Sequence, residues 1–138
     1  MPEKLRADPS DKSFEIIALT RIKGFPVVSI LCSKDDIAKC RIKRRCRIPN
    51  IDTMDSVGIG MSENLNILAI GDRKAKVVRF YRYRTCNNVV YSRSSKLPAP
   101  FKEMSYVDID LQDNLWISTT RPDDFTKGSI SMWPKSEW

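Results

Sequence analysis

The 138-residue chain reads as all-β: about three four-stranded antiparallel blades of a WD40-like propeller, an incomplete one, with an antiparallel β-sandwich as the alternative. Three observations predict this. Apolar and polar residues alternate with period 2 once the first dozen residues are passed, and no long stretch keeps a clean 3.6-residue period. Clusters of Gly, Asp, Asn and Ser punctuate the alternating runs at short intervals. At a shift of fifty, VGIGMSENLNI from Val57 lies over VDIDLQDNLWI from Val107 without a gap.

The elements follow in order. Residues 1–13, MPEKLRADPSDKS, lack the apolar segment of a secretory leader and read as a flexible lead-in to one β domain over 14–138. Strands are expected at Phe14–Leu19 and Pro26–Cys32, either side of the Lys23-Gly24 turn. From Ala38 to Ile48 the even positions are Ala38, Cys40, Ile42, Arg44, Cys46 and Ile48. The odd ones, Lys39, Arg41, Lys43, Arg45 and Arg47, are all cationic, so one strand would carry an apolar and a basic face. A turn around Lys43–Arg45 would account for Arg44 on the apolar side. Val57–Met61, Ile67–Ile70, Val77–Tyr83, Val107–Leu111, Leu115–Thr119 and Ser129–Trp133 complete the set on β-branched and aromatic content. Thr85–Pro100 reads as an enlarged loop with an outer edge strand at Val89–Tyr91.

The fifty-residue shift pairs Ile59 with Ile109, Leu65 with Leu115, Ile67 with Ile117, Phe80 with Ile130 and Tyr83 with Trp133. A looser copy forty residues upstream sets Val27 under Ile67, Ile30 under Ile70 and Cys40 under Phe80. Repeats of roughly 40–50 residues with three or four strands each are the signature of propeller blades; here they fall at about 14–50, 51–100 and 101–138. VRFY from Val78 and SISMW from Ser129 resemble the closing strand of a WD-type repeat, although no repeat keeps a Gly-His pair or a Trp-Asp dipeptide. Propellers close with about four to eight blades. Three would leave apolar sheet faces open, which implies a portion of a longer propeller or closure by association.

Composition restricts the chemistry. There is no histidine, which removes imidazole general bases, Ser-His-Asp and Cys-His arrangements and His-containing zinc sites. Cys32, Cys40, Cys46 and Cys86 form no CxxC pair and read as four reduced thiols packed as small hydrophobes, which places the protein inside the cell, nuclear or cytoplasmic. The longest apolar run, Phe25–Cys32, is far short of the ~20 residues of a membrane helix. Asp108 and Asp110 form the closest thing to a carboxylate pair, but alternation explains them as the outer side of one strand, and Gly58-Ile59-Gly60 lacks the third glycine of a dinucleotide loop. No catalytic residue, metal or cofactor is therefore assigned, and the expectation is a binding protein rather than an enzyme.

Twenty-four Lys+Arg against seventeen Asp+Glu leave a net charge of +7, which suits a polyanion or an acidic protein face. The candidate binding residues are Lys39, Arg41, Lys43, Arg45 and Arg47, spaced about 7 Å along one side of a strand, together with Arg79, Arg82 and Arg84. The second group, with Arg73, Lys74 and Lys76, is interleaved with Phe80, Tyr81 and Tyr83, the pattern that lets cations hold phosphates while aromatic faces stack bases. The blander reading is a solvated edge that resists aggregation. Trp116, Trp133 and Trp138 read as packing between blades, with Trp138 the least constrained and free to anchor a partner.

AKVVRFYRYRTCNNVVYSRSSKL from Ala75, followed by VDIDLQDNLWIS from Val107, resembles the last blades of the non-catalytic WD-repeat subunit of eukaryotic tRNA (guanine-N7) methyltransferase, the wuho family. FEIIALTRIKGFPVVSIL from Phe14 is compatible with the blade before. The resemblance implies a nuclear scaffold in tRNA processing that holds a separate methyltransferase catalytic subunit in its active form and helps it engage RNA. It supplies no partner-contact residue for this chain. The alternative is an independent basic RNA-binding β-domain.

Overall fold

The computed structural model describes residues 2–7, 12–36, 38–96, 103–121 and 123–138. Eleven strands form three antiparallel sheets, each a simple meander. The first contains β1 (Pro2–Ala7), β2 (Ser13–Leu19), β3 (Val27–Ser33) and β4 (Cys40–Arg45) in spatial order. The second contains β5 (Ser56–Ser62), β6 (Ile67–Asp72), β7 (Val77–Thr85) and β8 (Asn88–Lys96), and the third β9 (Glu103–Ile109), β10 (Leu115–Arg121) and β11 (Asp124–Trp133). The leading strands lie side by side: β1 packs by β5 and β5 by β9. Sister sheets fanning from their first strands are a propeller-like arrangement, incomplete at three blades.

The inner strands of the middle sheet, β6 above all, are buried on both faces, while β8 is mostly exposed. Ile59, Met61, Leu68, Ile70, Tyr81 and Tyr83 meet Ile17, Val27, Cys46 and Ile48 of the first unit. Ala69, Val78 and Phe80 meet Met104, Val107, Ile109, Leu115 and Ile117 of the third. That double burial explains why β6, ILAIGD, is a nearly continuous apolar run rather than an alternating one. Two glycines let the backbones of β5 and β9 touch. A Cβ at Gly58 would lie 2.5 Å from Val107 N, and one at Gly60 2.6 Å from Ile109 N. Both contacts climb in the same direction, as they must for parallel strands related by a rotation.

Several expectations need correction. The segment read as a flexible lead-in supplies β1, paired with β2 from Pro2↔Ala18 to Ala7↔Phe14. Counting β1 makes β2 the counterpart of β6, so the forty-residue alignment of the first unit is one strand out of step. The fifty-residue alignment keeps the correct side in β5 and β9 but inverts it in the next strand. Leu68 and Ile70, not Leu65 and Ile67, occupy the places of Leu115 and Ile117, because β5 and β6 pair as Ile59↔Ile70 while β9 and β10 pair as Val107↔Ile117. The third sheet has three strands among the described residues, not four. The loop expected at Thr85–Pro100 is mostly the nine-residue β8, entered through the tight turn at Cys86-Asn87; residues 97–100 lie outside the described residues.

The cysteines are not free. Cys32 and Cys40 sit directly opposite each other in β3 and β4, Cα atoms 4.1 Å apart, and are disulfide-bonded. Cys46 follows β4, where the Arg47 N–H donates to Cys86 O at 2.9 Å; this docks the chain beside the β7–β8 turn and sets up the Cys46–Cys86 disulfide between the first and second units. Spacing concealed both pairs, since one joins facing strands of a hairpin and the other joins separate sheets.

Trp138 is likewise not a free anchor. It is buried, stacked on Phe80 with centroids 5.1 Å apart, and its Nε1–H donates to Asp113 O at 2.9 Å. Trp138→Ala removes that stack and a buried indole, and should lower unfolding stability by about 3 kcal/mol, read as a shifted urea midpoint at unchanged slope.

Candidate binding edge

β4 is the outermost strand of the first sheet, and every residue of it, CRIKRR, is exposed. Lys39 and Arg47, which flank it, are exposed too. The outer edge of β4 thus carries the chain's densest run of positive charge on a strand with no further neighbour among the described residues.

The cations do not form the single stripe expected from odd positions. The β3–β4 register runs Leu31↔Arg41, Ile30↔Ile42, then Ser29↔Arg44 and Val28↔Arg45, so Lys43 is an extra residue in a bulge. Past the bulge the sides exchange. Arg41 and Arg44 share the side facing the second sheet, while Ile42 and Arg45 share the outward side. The same bulge removes the need for the turn expected at Lys43–Arg45 and explains Arg44. Lys43 is engaged: its ammonium bonds Glu15 Oε1, and the Glu15 carboxylate also accepts from Ser29 Oγ at 3.1 Å. Burial alone would raise the Glu15 pKa, but the hydrogen bonds from Lys43 and Ser29, with the nearby Arg44 charge, hold it below the ordinary carboxylate value.

A carboxyl with a depressed folded-state pKa stabilises the fold above its unfolded pKa near 4.5, and that stabilisation is lost as pH falls through the folded value. Glu15→Gln should therefore lose less stability than the wild type between pH 5 and pH 3, measured by thermal melts across about that range.

The second basic group is divided. Arg73 Nε and Nη2 clamp Asp55 at 2.9 and 3.3 Å, and Asp55 lies just before β5. Arg79 Nε donates at 3.1 Å to Asp72, a buried carboxylate that also accepts the N–H groups of Asp55 and Ala75. These two arginines order the β6–β7 turn. Arg82 and Arg84 remain exposed on β7. The interleaved aromatics are core: Phe80, Tyr81 and Tyr83 are each at most 2% exposed. Tyr81 is buried deeply enough to push its phenol pKa up to about 12. No base can stack on these rings. Sequence reasoning missed Arg93, whose guanidinium lies 4.4 Å from the Phe80 centroid in the neighbouring strand; period-2 pairing of β7 with β8 was the signal that could have found it.

Asp108 and Asp110 are both engaged with nearby groups of the chain. Asp108 Oδ1 accepts the N–H of Ile109 at 2.7 Å. Asp110 accepts the N–H groups of Gln112 and Asn114, Asn114 Nδ2 and Trp116 Nε1, all within 3.0 Å. Burial opposes the charge on Asp110, but these bonds outweigh it and lower its pKa. Asp110 organises the β9–β10 turn. Among the described residues no group of three or more metal-ligating side chains is assembled, and no helix is long and apolar enough to cross a membrane.

No family model matches the chain, and no curated protein matches it. Among solved structures it is similar to a luciferin-regenerating enzyme, with 16% identity and a TM-score of 0.44 over 97% of this chain and 42% of that one. It is also similar to the Cps50 (Swd1) β-propeller domain of Myceliophteria thermophila, with 12% identity and a TM-score of 0.47 over 92% of this chain and 36% of that one. The chain thus spans about two-fifths of the length of either structure. Its own strand order and register define it as an all-β array of three antiparallel, blade-like meanders.

Proposed function

We propose that the chain is a non-enzymatic scaffold that docks an acidic protein partner along the outer edge of its first blade. The carrying observation is β4: six consecutive exposed residues, four of them Lys or Arg, flanked by Lys39 and Arg47. Charge of this density steers the encounter with an acidic surface. Burial of Phe80, Tyr81 and Tyr83 favours a protein over single-stranded RNA, because an RNA platform needs accessible rings. The sequence resemblance supports a tRNA-modifying methyltransferase subunit as the partner, in the nucleus or cytoplasm. Disulfides persist in oxidising compartments and are reduced in the cytosol, so this partner requires a fold that survives with both bonds open.

The test adds the purified chain to such a catalytic subunit. Wild type should raise its methylation rate, and Arg41→Glu with Arg44→Glu should abolish the gain while the melting temperature holds. The second reading, direct RNA binding, would appear as tight binding by the chain alone. Its affinity would then fall by a log–log slope of about 0.7 per phosphate contact as salt rises.

A further inference from the structure

The three units share one construction, so the face that the second sheet turns toward the third has a counterpart on the third sheet. On the second sheet this face carries Ala69, Val78 and Phe80, each at most 1% exposed. Register places Trp116, Ile130 and Met132 at the corresponding positions, since Leu68↔Tyr81 matches Leu115↔Trp133. They stay exposed where their counterparts are buried: Ile130 is 75% exposed, Met132 45% and Trp116 41%. Trp116 and Met132 are direct cross-strand partners, and Ile130 lies two residues from Met132 on the same side. The Trp116 indole is held in place by its 2.8 Å bond to Asp110, the mark of a preorganised anchor rather than a stray surface ring.

At the other end of the array, the first sheet turns an apolar face away from the second. Ile16, Ile30 and Ile42 form one row across β2, β3 and β4; Ile42 is 48% exposed and Ile16 and Ile30 half-buried, while Ala18, Val28 and Cys32 on the same side are buried. The row matches those that the second and third sheets bury against the sheet before them. The charges are complementary. Residues 1–50 hold twelve Lys+Arg and six Asp+Glu, whereas residues 101–138 hold four and seven. Arg45 stands beside the isoleucine row, and Asp108 is the register partner of Trp116 on the other face.

We infer that the occupant of each open face is a second copy of this chain: the third sheet of one copy packs on the first sheet of the other, and the reverse contact closes a six-bladed ring about a two-fold axis. Two copies reach the number of blades at which propellers close. Contact between unlike, oppositely charged faces also disfavours third-on-third and first-on-first pairing. The contact between copies uses the outward side of β4, with Ile42 and Arg45, whereas Arg41 and Arg44 on its other side stay available to the partner of the proposed function.

Sedimentation equilibrium tests it with the full chain and two single variants, Ile130→Glu and Ile42→Glu. Both positions are exposed, so circular dichroism and melting of the isolated units should be retained. Wild type should weigh about twice 15.9 kDa at micromolar concentration, and each variant should fall to 15.9 kDa. A monomeric wild type overturns the inference, as does any assembly other than two copies. So does a dimer broken by only one of the variants, which would mean that like faces pair.

Discussion

Gly60→Ala is expected to destabilise the fold by about 3 kcal/mol, the upper range for overpacking a tight core. The added methyl would sit 2.6 Å from Ile109 N and 2.9 Å from Asp108 C, so the obstacle is backbone, which cannot rotate away as a side chain can. The second and third sheets would have to separate, loosening the cluster of Val107, Ile109, Leu115 and Ile117 against Ala69 and Phe80. Gly24→Ala is the control. Its φ of +83° imposes the left-handed penalty of about 1–2 kcal/mol, but nothing lies within 4 Å of the new methyl. Urea unfolding of the pair separates steric cost at a blade contact from local backbone cost at a turn. A loss below about 1 kcal/mol for Gly60→Ala would mean that β5 and β9 do not approach as described.

Opening the Cys46–Cys86 bond should be the larger of the two redox effects. It closes a loop of sequence separation 40, for which the chain-entropy model gives about 4 kcal/mol, against about 2–3 kcal/mol for Cys32–Cys40 at separation 8. Cys46→Ser with Cys86→Ser should accordingly lower the melting temperature more than Cys32→Ser with Cys40→Ser, and reductant should depress the wild type by at least as much as either. The longer bond joins two sheets, whereas the shorter one staples a hairpin that β-pairing already holds. If the reduced protein melts lower but stays folded at about 37 °C, the fold tolerates a reducing compartment and the methyltransferase reading stands. A chain that unfolds on reduction near 37 °C rules it out.

Strand identity was legible because alternation is local: Val107 to Ile109 and Ser129–Trp133 alternate in the sequence itself, whereas Leu111, read with the first of these, lies past β9 in the turn and is 75% exposed. The sharing of sheets was partly legible, since the fifty-residue shift matches the first strands of the second and third units. It failed where a hairpin differs by one residue, because a period-2 pattern inverts with every such slip and Leu65 then stands in for Leu68. β1 was hidden by its polar composition, PEKLRA, which gives no apolar alternation. The basic edge was legible as charge but not as geometry, because a bulge at Lys43 depends on pairing with β3 rather than on β4 alone. The disulfides and the burial of Trp138 depend on contacts between distant segments, which no spacing rule encodes.

In a stack of sister sheets β5 and β9 are neighbours in adjacent sheets rather than hydrogen-bonded partners in one. A nitrogen-edited NOE spectrum of the labelled chain tests this directly. It should show strong cross-peaks from the Gly58 α-protons to the Val107 amide and from the Gly60 α-protons to the Ile109 amide, rising together along both strands. Cross-peaks descending along one strand as they rise along the other, the pattern of an antiparallel ladder between β5 and β9, would contradict it.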